Sequence, residues 1–146
     1  MINPDDQNRT EIADRLHSAA IHMLRFARKQ DVLTREGPAR LSALSVLVFA
    51  GPMTLGQLAT AEQVKPPTMS RIVAGLKRSG LAKIDSDTLD ARRICVSVTP
   101  KGERLLQQAR ARRIQLLADV LGEASRREAD VLREAAEIIE RVIRRT

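Results

Sequence analysis

Apolar residues recur along this chain with two different periods, and the change from one to the other marks its parts. Over residues 8–30, Ile12, Leu16, Ala19, Met23 and Phe26 are spaced by four, three, four and three. That spacing predicts one face of a long helix, and Gly37-Pro38 is expected to end it. A short helix follows with Leu41, Leu44 and Val48 on one side, and Gly51-Pro52 is its stop. Thr54 and Gln57 read as a capping box, a hydroxyl at the N-cap and an amide three residues on. The helix they open carries Leu55, Leu58 and Ala59 and has room to run only to Ala61 or Glu62. After the turn Gln63-Val64-Lys65, Pro66-Pro67 suits the first turn of a further helix, where a missing N–H costs nothing. Met69, Ile72, Val73 and Leu76 stand on its inner side at helical spacing, and Gly80 supplies a left-handed terminus.

Beyond Gly80 the period shortens. Residues 81–85 suit a short strand, and Ile94, Val96 and Val98 alternate with Cys95 and Ser97 as a half-buried second one. The polar stretch 86–92 between them has hairpin length. Thr99-Pro100 caps and opens another helix, whose inner line is Leu106, Ala109, Arg113 with Ile114, Leu117, and Val120 with Leu121. Gly122 breaks it, Ser125 is the next N-cap, and Ala129, Leu132, Ala136, Ile139 and Ile143 give the last helix its apolar face. The expected order is four helices, two strands and two helices.

Charge then narrows the class. The chain carries 25 Lys and Arg against 18 Asp and Glu, a net of +7. Residues 53–104 hold nine basic and five acidic residues, a net of +4, so the short middle segment carries most of the excess. A concentrated basic segment in a folded domain fits a polyanionic partner. With two Phe and neither Trp nor Tyr, stacking platforms for unpaired bases are absent from the composition. One Cys excludes an internal disulfide framework and a multi-cysteine metal site. The start, Met1-Ile2-Asn3-Pro4-Asp5-Asp6, is acidic and unlike a secretory signal. No apolar run approaches the ~20 residues of a membrane span. A soluble, cytoplasmic, mainly α protein with a small β-hairpin is expected, without membrane association and without a cofactor.

The two central helices have the spacing of a helix-turn-helix, whose second helix enters the major groove of a duplex. Ala59 is the small residue that lets the helices cross, Gln63 holds the turn position where Gly is usual, and Met69 fills the angle between them. Lys65 stands where a Ser or Thr cap is usual, with Pro66 fixing the helix start instead. Outside the inner line of 66–79 lie Pro67, Thr68, Ser70, Arg71, Ala74, Gly75, Lys77 and Arg78. These are small, hydroxyl-bearing or basic, and none is acidic. An arginine pairs with a guanine edge through two hydrogen bonds, and hydroxyls reach phosphates or bases. A solvated surface face is the plainer alternative, but such a face ordinarily mixes both charge signs. In the hairpin loop, Asp90 stands two residues before Arg92 and can brace its guanidinium for a narrow minor groove.

The run Leu58-Ala59-Thr60, then Pro67 through Leu81, and the continuation Asp90-Ala91-Arg92-Arg93-Ile94 to Val98-Thr99-Pro100-Lys101-Gly102-Glu103 resemble the winged helix of the MarR family of bacterial transcription regulators. The resemblance implies a winged helix-turn-helix at 37–100, flanked by a helical dimerisation region at 1–36 and 101–146. It implies a homodimer on double-stranded DNA with a palindromic operator, often a repressor released by a small aromatic or phenolic ligand or by oxidation. In that frame Thr54 and Gln57 hold a phosphate at a helix start. Pro67, Thr68, Ser70 and Arg71 face the groove, Arg92 with Asp90 probes the minor groove, and Lys65, Lys77, Arg78 and Arg93 touch the backbone. The wide apolar stripes of the long helices separately call for a partner subunit.

The remaining chemistry is thin. A ligand crevice of the family's kind would lie between the first two helices and the winged domain. His22, Arg25 and Phe26 would line it, or serve equally in packing or at the surface. His17 and His22 have no third metal ligand nearby, and Cys95 reads as a small packing residue of its strand. No nucleophile–base spacing and no glycine-rich phosphate loop appears, so an enzyme is not expected. A nonspecific architectural DNA-binding protein and a protein-interaction adaptor on the same scaffold are the rival readings.

Overall fold

Proline and hydroxyl caps start the helices of this chain, and left-handed residues end several of them. In the computed structural model, which describes residues 4–86 and 94–145, the order is α1 (Pro4–Arg28), a 3-10 turn (Lys29–Thr34), α2 (Pro38–Ala50), β1 (Met53–Thr54), α3 (Leu55–Ala61), α4 (Pro66–Arg78), β2 (Ala82–Ser86), β3 (Ile94–Val98), α5 (Pro100–Leu121) and α6 (Arg126–Ile143). This is a winged helix-turn-helix carried between long helices. The first helix is longer at its start than its apolar line predicts and stops sooner, at Arg28. A 3-10 turn, closed by Arg35 in the left-handed region at φ 59°, ends it before Gly37-Pro38 is reached.

The three strands form an antiparallel sheet in the order β1-β3-β2. β1 is the strand the sequence pattern does not reveal. Its two residues pair Met53 with Val96 and Thr54 with Cys95, which makes β3 the central strand. Val96 is fully buried there, whereas Ile94, expected on the inner side, is about half exposed. Burial of the alternate face stops at the middle of β3 because no helix covers its outer end.

One apolar core unites the helices and the sheet: Leu44 and Leu47 of α2, Leu58 and Ala59 of α3, Met69, Val73 and Leu76 of α4, Leu81, Ala82 and Val96 beside and in the strands, and Leu106 of α5. Burying a leucine or methionine side chain of this kind is worth roughly 1.5–3 kcal/mol, so these residues dominate the packing.

The junction between α4 and α5 is tightly fastened. Gly80 at φ 71° lets the Leu81 N–H reach back to the Leu76 carbonyl at 2.9 Å. The Thr99 hydroxyl donates to the Gly80 carbonyl at 2.6 Å, and Lys101 Nζ donates to the Ser79 carbonyl at 2.8 Å. A cation at the carbonyl end of α4 complements its dipole. Ser125 and Glu128 cap α6 reciprocally, and those bonds from Ser125 hold the Glu128 carboxyl below its ordinary range.

The long helices leave much apolar surface uncovered within one chain. Ile12, Leu16 and Met23 of α1, Ile114, Val120 and Leu121 of α5, and Val131, Leu132, Ile138, Val142 and Ile143 of α6 are all exposed. No described residue of α6 is buried. Among the described residues, no helix is long and apolar enough to cross a membrane.

Candidate nucleic-acid interface

The turn before α4 is built by α3 itself. The Gln63 N–H bonds the Thr60 carbonyl at 3.1 Å and the Val64 N–H bonds the Ala59 carbonyl at 3.0 Å, a closure that needs a left-handed residue between them. Gln63 supplies it at φ 55°, where glycine is usual. Val64 then packs on the core, Lys65 takes the N-cap position without a side-chain cap bond, and Pro66-Pro67 start α4. With Met69, Val73 and Leu76 buried, the opposite side of α4 is fixed outward. Pro67, Thr68, Ser70, Arg71, Lys77 and Arg78 are exposed, as is Lys65. No acidic residue lies between Gln63 and Ile84, so Lys65, Arg71, Lys77 and Arg78 present an unopposed positive face.

Beside that face opens a hollow of about 990 Å³, lined by Thr54, Gly56, Gln57, Thr60, Pro66 and Ile94 among others. It lies between the start of α3, the start of α4 and the first residue of β3. Thr54 and Gln57 form the expected capping box. The Gln57 N–H donates to Thr54 Oγ1 at 3.2 Å, and the Thr54 N–H donates to Gln57 Oε1 at 2.9 Å. Each oxygen is thus engaged, while the Thr54 hydroxyl proton and the Gln57 amide NH₂ stay available to an acceptor.

Comparison with known proteins points to transcriptional regulators. Two mycobacterial HTH-type transcriptional regulators match most of the chain. The one from Mycobacterium tuberculosis is 35% identical over 128 residues, covering 88% of this chain and 90% of that protein. The one from Mycobacterium leprae is 34% identical over 123 residues, covering 82% and 86%. Among solved structures, a MarR family protein from Bacillus stearothermophilus superposes with a TM-score of 0.81 at 22% identity, covering 98% of this chain and 99% of that one. The chain belongs to the HTH-type transcriptional regulators, and its fold is that of the MarR family protein. No protein-family model matches it. Also similar in fold is NadR in complex with 4-hydroxyphenylacetate, at a TM-score of 0.64 and 17% identity over 88% of this chain and 91% of that one.

In this regulator the expected groove-facing residues of α4 share one exposed face, with one correction. Gly75, read as part of the outer stripe, is buried, because the Arg40 side chain of α2 lies across it. A Cβ built on Gly75 would fall on the Arg40 guanidinium. Arg40 and its partner Glu36, whose Oε2 accepts from Nη1 at 3.0 Å, were not singled out by sequence reasoning. The available signal was Gly75 itself, since glycine inside a helix costs about 1 kcal/mol relative to Ala and so marks a close approach. Asp90, Arg92 and Arg93 lie outside the described residues.

A small half-open cavity, about 140 Å³, is lined by Leu24, Arg28, Asp31, Pro38, Leu41, Ser42, Ser45 and Arg113. His22, Arg25 and Phe26 do not line it. His22 and Arg25 are exposed, and Phe26 is half-buried under Lys29 Nζ, 5.5 Å from its ring centre. Among the described residues, no three His, Cys, Asp or Glu side chains group as metal ligands. Cys95 is half-buried opposite Thr54.

Proposed function

We propose that this regulator is a homodimer that binds a palindromic site on double-stranded DNA, with α4 of each copy in the major groove. The observation that carries the reading is the exposed face of α4: Pro67, Thr68, Ser70, Arg71, Lys77 and Arg78 lie outward together without an acidic neighbour. Small residues admit close approach, Arg71 offers a two-bond donor to a guanine edge, and Lys77, Arg78 and Lys65 serve phosphates. Thr54 and Gln57 add donors at the rim of the adjoining hollow. On the sequence expectation, Arg92 with Asp90 would probe the minor groove and Arg93 would touch the backbone. A helical dimerisation region at 1–36 and 101–146 then flanks a DNA-binding unit at 37–100, and the uncovered apolar residues of α1, α5 and α6 support that assignment. A two-fold would set the recognition helices one helical turn apart, roughly 34 Å.

Repression released by a small aromatic or phenolic ligand completes the reading. The cavity beside α1, α2 and α5 supports it, with Leu24 and Leu41 offering apolar contact and Arg28 a cation for an acidic group. His22, Arg25 and Phe26 would act only at its approaches.

The test is selection of bound duplexes from a random pool, followed by competition and by sedimentation of the free protein. A dimer that keeps one palindromic sequence under a large excess of random duplex is the expected outcome. Equal displacement by random duplex would make the protein an architectural binder. No duplex binding at physiological salt would make it an adaptor.

A further inference from the structure

We propose that Arg40 is a positioning residue for the recognition helix: braced by Glu36, its guanidinium spans Gly75 and sets where α4 stands against α2, and so where Arg71 points. The inference rests on the DNA-binding reading of α4 but is carried by a contact that reading does not use.

Gly75 lies ten residues into a 13-residue helix, and the residues one turn either side of it, Arg71 and Arg78, are exposed. Gly75 nevertheless is buried, and what buries it is a side chain from another element. A Cβ there would overlap Nε, Cζ and Nη2 of Arg40, so the planar guanidinium rests directly on the α4 backbone. Arginine suits this place because its fork is flat and rigid, where a lysine presents a round ammonium on a flexible stem.

The arm does not swing freely. Nη1 of Arg40 donates to Glu36 Oε2 at 3.0 Å, and the Glu36 side chain is only 9% exposed. Glu36 is held in turn: its N–H donates to Thr34 Oγ1 at 3.1 Å, and the Thr34 hydroxyl donates to the Asp31 carbonyl at 2.6 Å. The turn that joins α1 to α2 thus fixes the Glu36 backbone, the Glu36 carboxylate holds Arg40, and Arg40 bears on α4. Arg40 and Arg71 line one groove with Gly37, Pro38, Ala39 and Ile72, so a shift of Arg40 reaches the part of α4 that carries Arg71.

A phosphate contact by Arg40 is the competing role, and the geometry argues against it. Its Nη1 is engaged by Glu36, its Nε, Cζ and Nη2 lie over the α4 backbone at Gly75, and the neighbouring carboxylate offsets its charge toward a polyanion.

The experiment uses the full chain with Arg40→Ala, Gly75→Ala and the double variant. Three quantities are read: binding to the duplex selected by the wild type against random duplex, the dependence of binding on salt, and the thermal midpoint. Arg40→Ala and Gly75→Ala each are expected to lower the specific-to-random ratio roughly tenfold, the size of losing one base pair's readout. The salt slope should stay unchanged. In the Arg40→Ala background, Gly75→Ala should cost nothing further and should raise the midpoint. Glu36→Gln, which loosens the brace without removing the arm, should give a smaller loss of the same kind and guards against a variant that fails to fold. A salt slope lower by about one unit with equal loss on all duplexes would make Arg40 a phosphate ligand and overturn the proposal. Unchanged specificity in both single variants, or strictly additive effects in the double variant, would overturn it too. A wild-type chain that selects no duplex would refute the DNA reading, while the midpoint coupling would still report whether Arg40 seats α4.

Discussion

Asp31 and Arg113, 82 positions apart in the chain, meet at 2.6 Å between a carboxylate oxygen and the guanidinium Nε. Asp31 is in the 3-10 turn between α1 and α2, and Arg113 is midway along α5, so the pair ties the turn that precedes Glu36 to α5. Both side chains are largely covered, at 12% and 28% exposure. Removing one partner of such a pair leaves a charge short of solvent and short of a partner.

Arg113→Met is therefore expected to destabilise the fold by ~1–3 kcal/mol, below the cost for a fully buried pair because Arg113 keeps some solvent. Asp31→Asn together with Arg113→Met should recover a large part of that loss. Chemical denaturation of the two single variants and the double variant measures the coupling, and additive losses would show that the two side chains do not act as a pair.

Gly102→Ala should be among the costliest single-methyl changes in the molecule. A Cβ at Gly102 would fall on the backbone carbonyl of Leu81, which also accepts the Thr99 N–H at 3.0 Å. Neither backbone can move without pulling α5 away from the end of α4, so a loss of ~3 kcal/mol is expected. Gly56→Ala is the control. Nothing lies within 4 Å of its Cβ position, and better helix propensity should stabilise by at most about 1 kcal/mol. Equal urea midpoints for the two variants would refute the packing argument.

Gln63 holds a left-handed conformation at φ 55°, which costs a residue with a side chain roughly 1–2 kcal/mol. Gln63→Gly should relieve that strain and raise the stability by up to about 1 kcal/mol, the added freedom of glycine in the unfolded chain offsetting part of the gain. Gln63→Val should lower it, since a β-branched residue fits this region worst. The thermal midpoints of the three proteins give the order, and a glycine variant less stable than the parent would mean that the Gln63 side chain makes up for its backbone.

Arg71→Ala and Lys77→Ala separate the two kinds of contact proposed for α4. Truncating Arg71 should cost ~1–3 kcal/mol on the selected duplex and relax the preference at one base position. Truncating Lys77 should weaken all duplexes alike and lower the salt slope by about one unit. Equal loss on every sequence for Arg71 would reduce it to a phosphate contact. An unchanged slope would remove Lys77 from the interface.

The Glu128 carboxyl is held below its ordinary value by hydrogen bonds from the Ser125 side chain and backbone. A depressed carboxyl stabilises the helix start above its unfolded value of 4.5 and loses that contribution as the pH falls through the lower folded value. The first turn of α6 should fray in that acid range, and Ser125→Ala should bring the Glu128 titration by NMR back toward 4.5. A titration unmoved by that change would rule out the cap as its cause.

What the chain order alone determined were the features that depend on near neighbours. The 3.6 and 2.0 periods mark helices and strands, Thr54 with Gln57 and Ser125 announce caps, and Gly80 and Pro66 place a stop and a start. The outward set on α4 follows from its inward set, because a helix that buries Met69, Val73 and Leu76 must turn Arg71 and Arg78 away. Three things escaped because they depend on how elements meet. β1 is two residues long, too short for any period, and exists because Val96 and Cys95 lie opposite it. Gly75 is covered by Arg40 only at the angle where α2 crosses α4. Arg113 stands on the inner line of α5, yet its partner is supplied by a 3-10 turn that lies before the expected stop at Gly37-Pro38. Local patterns record which side of an element is buried; the crossing of two elements decides which side chain does the burying.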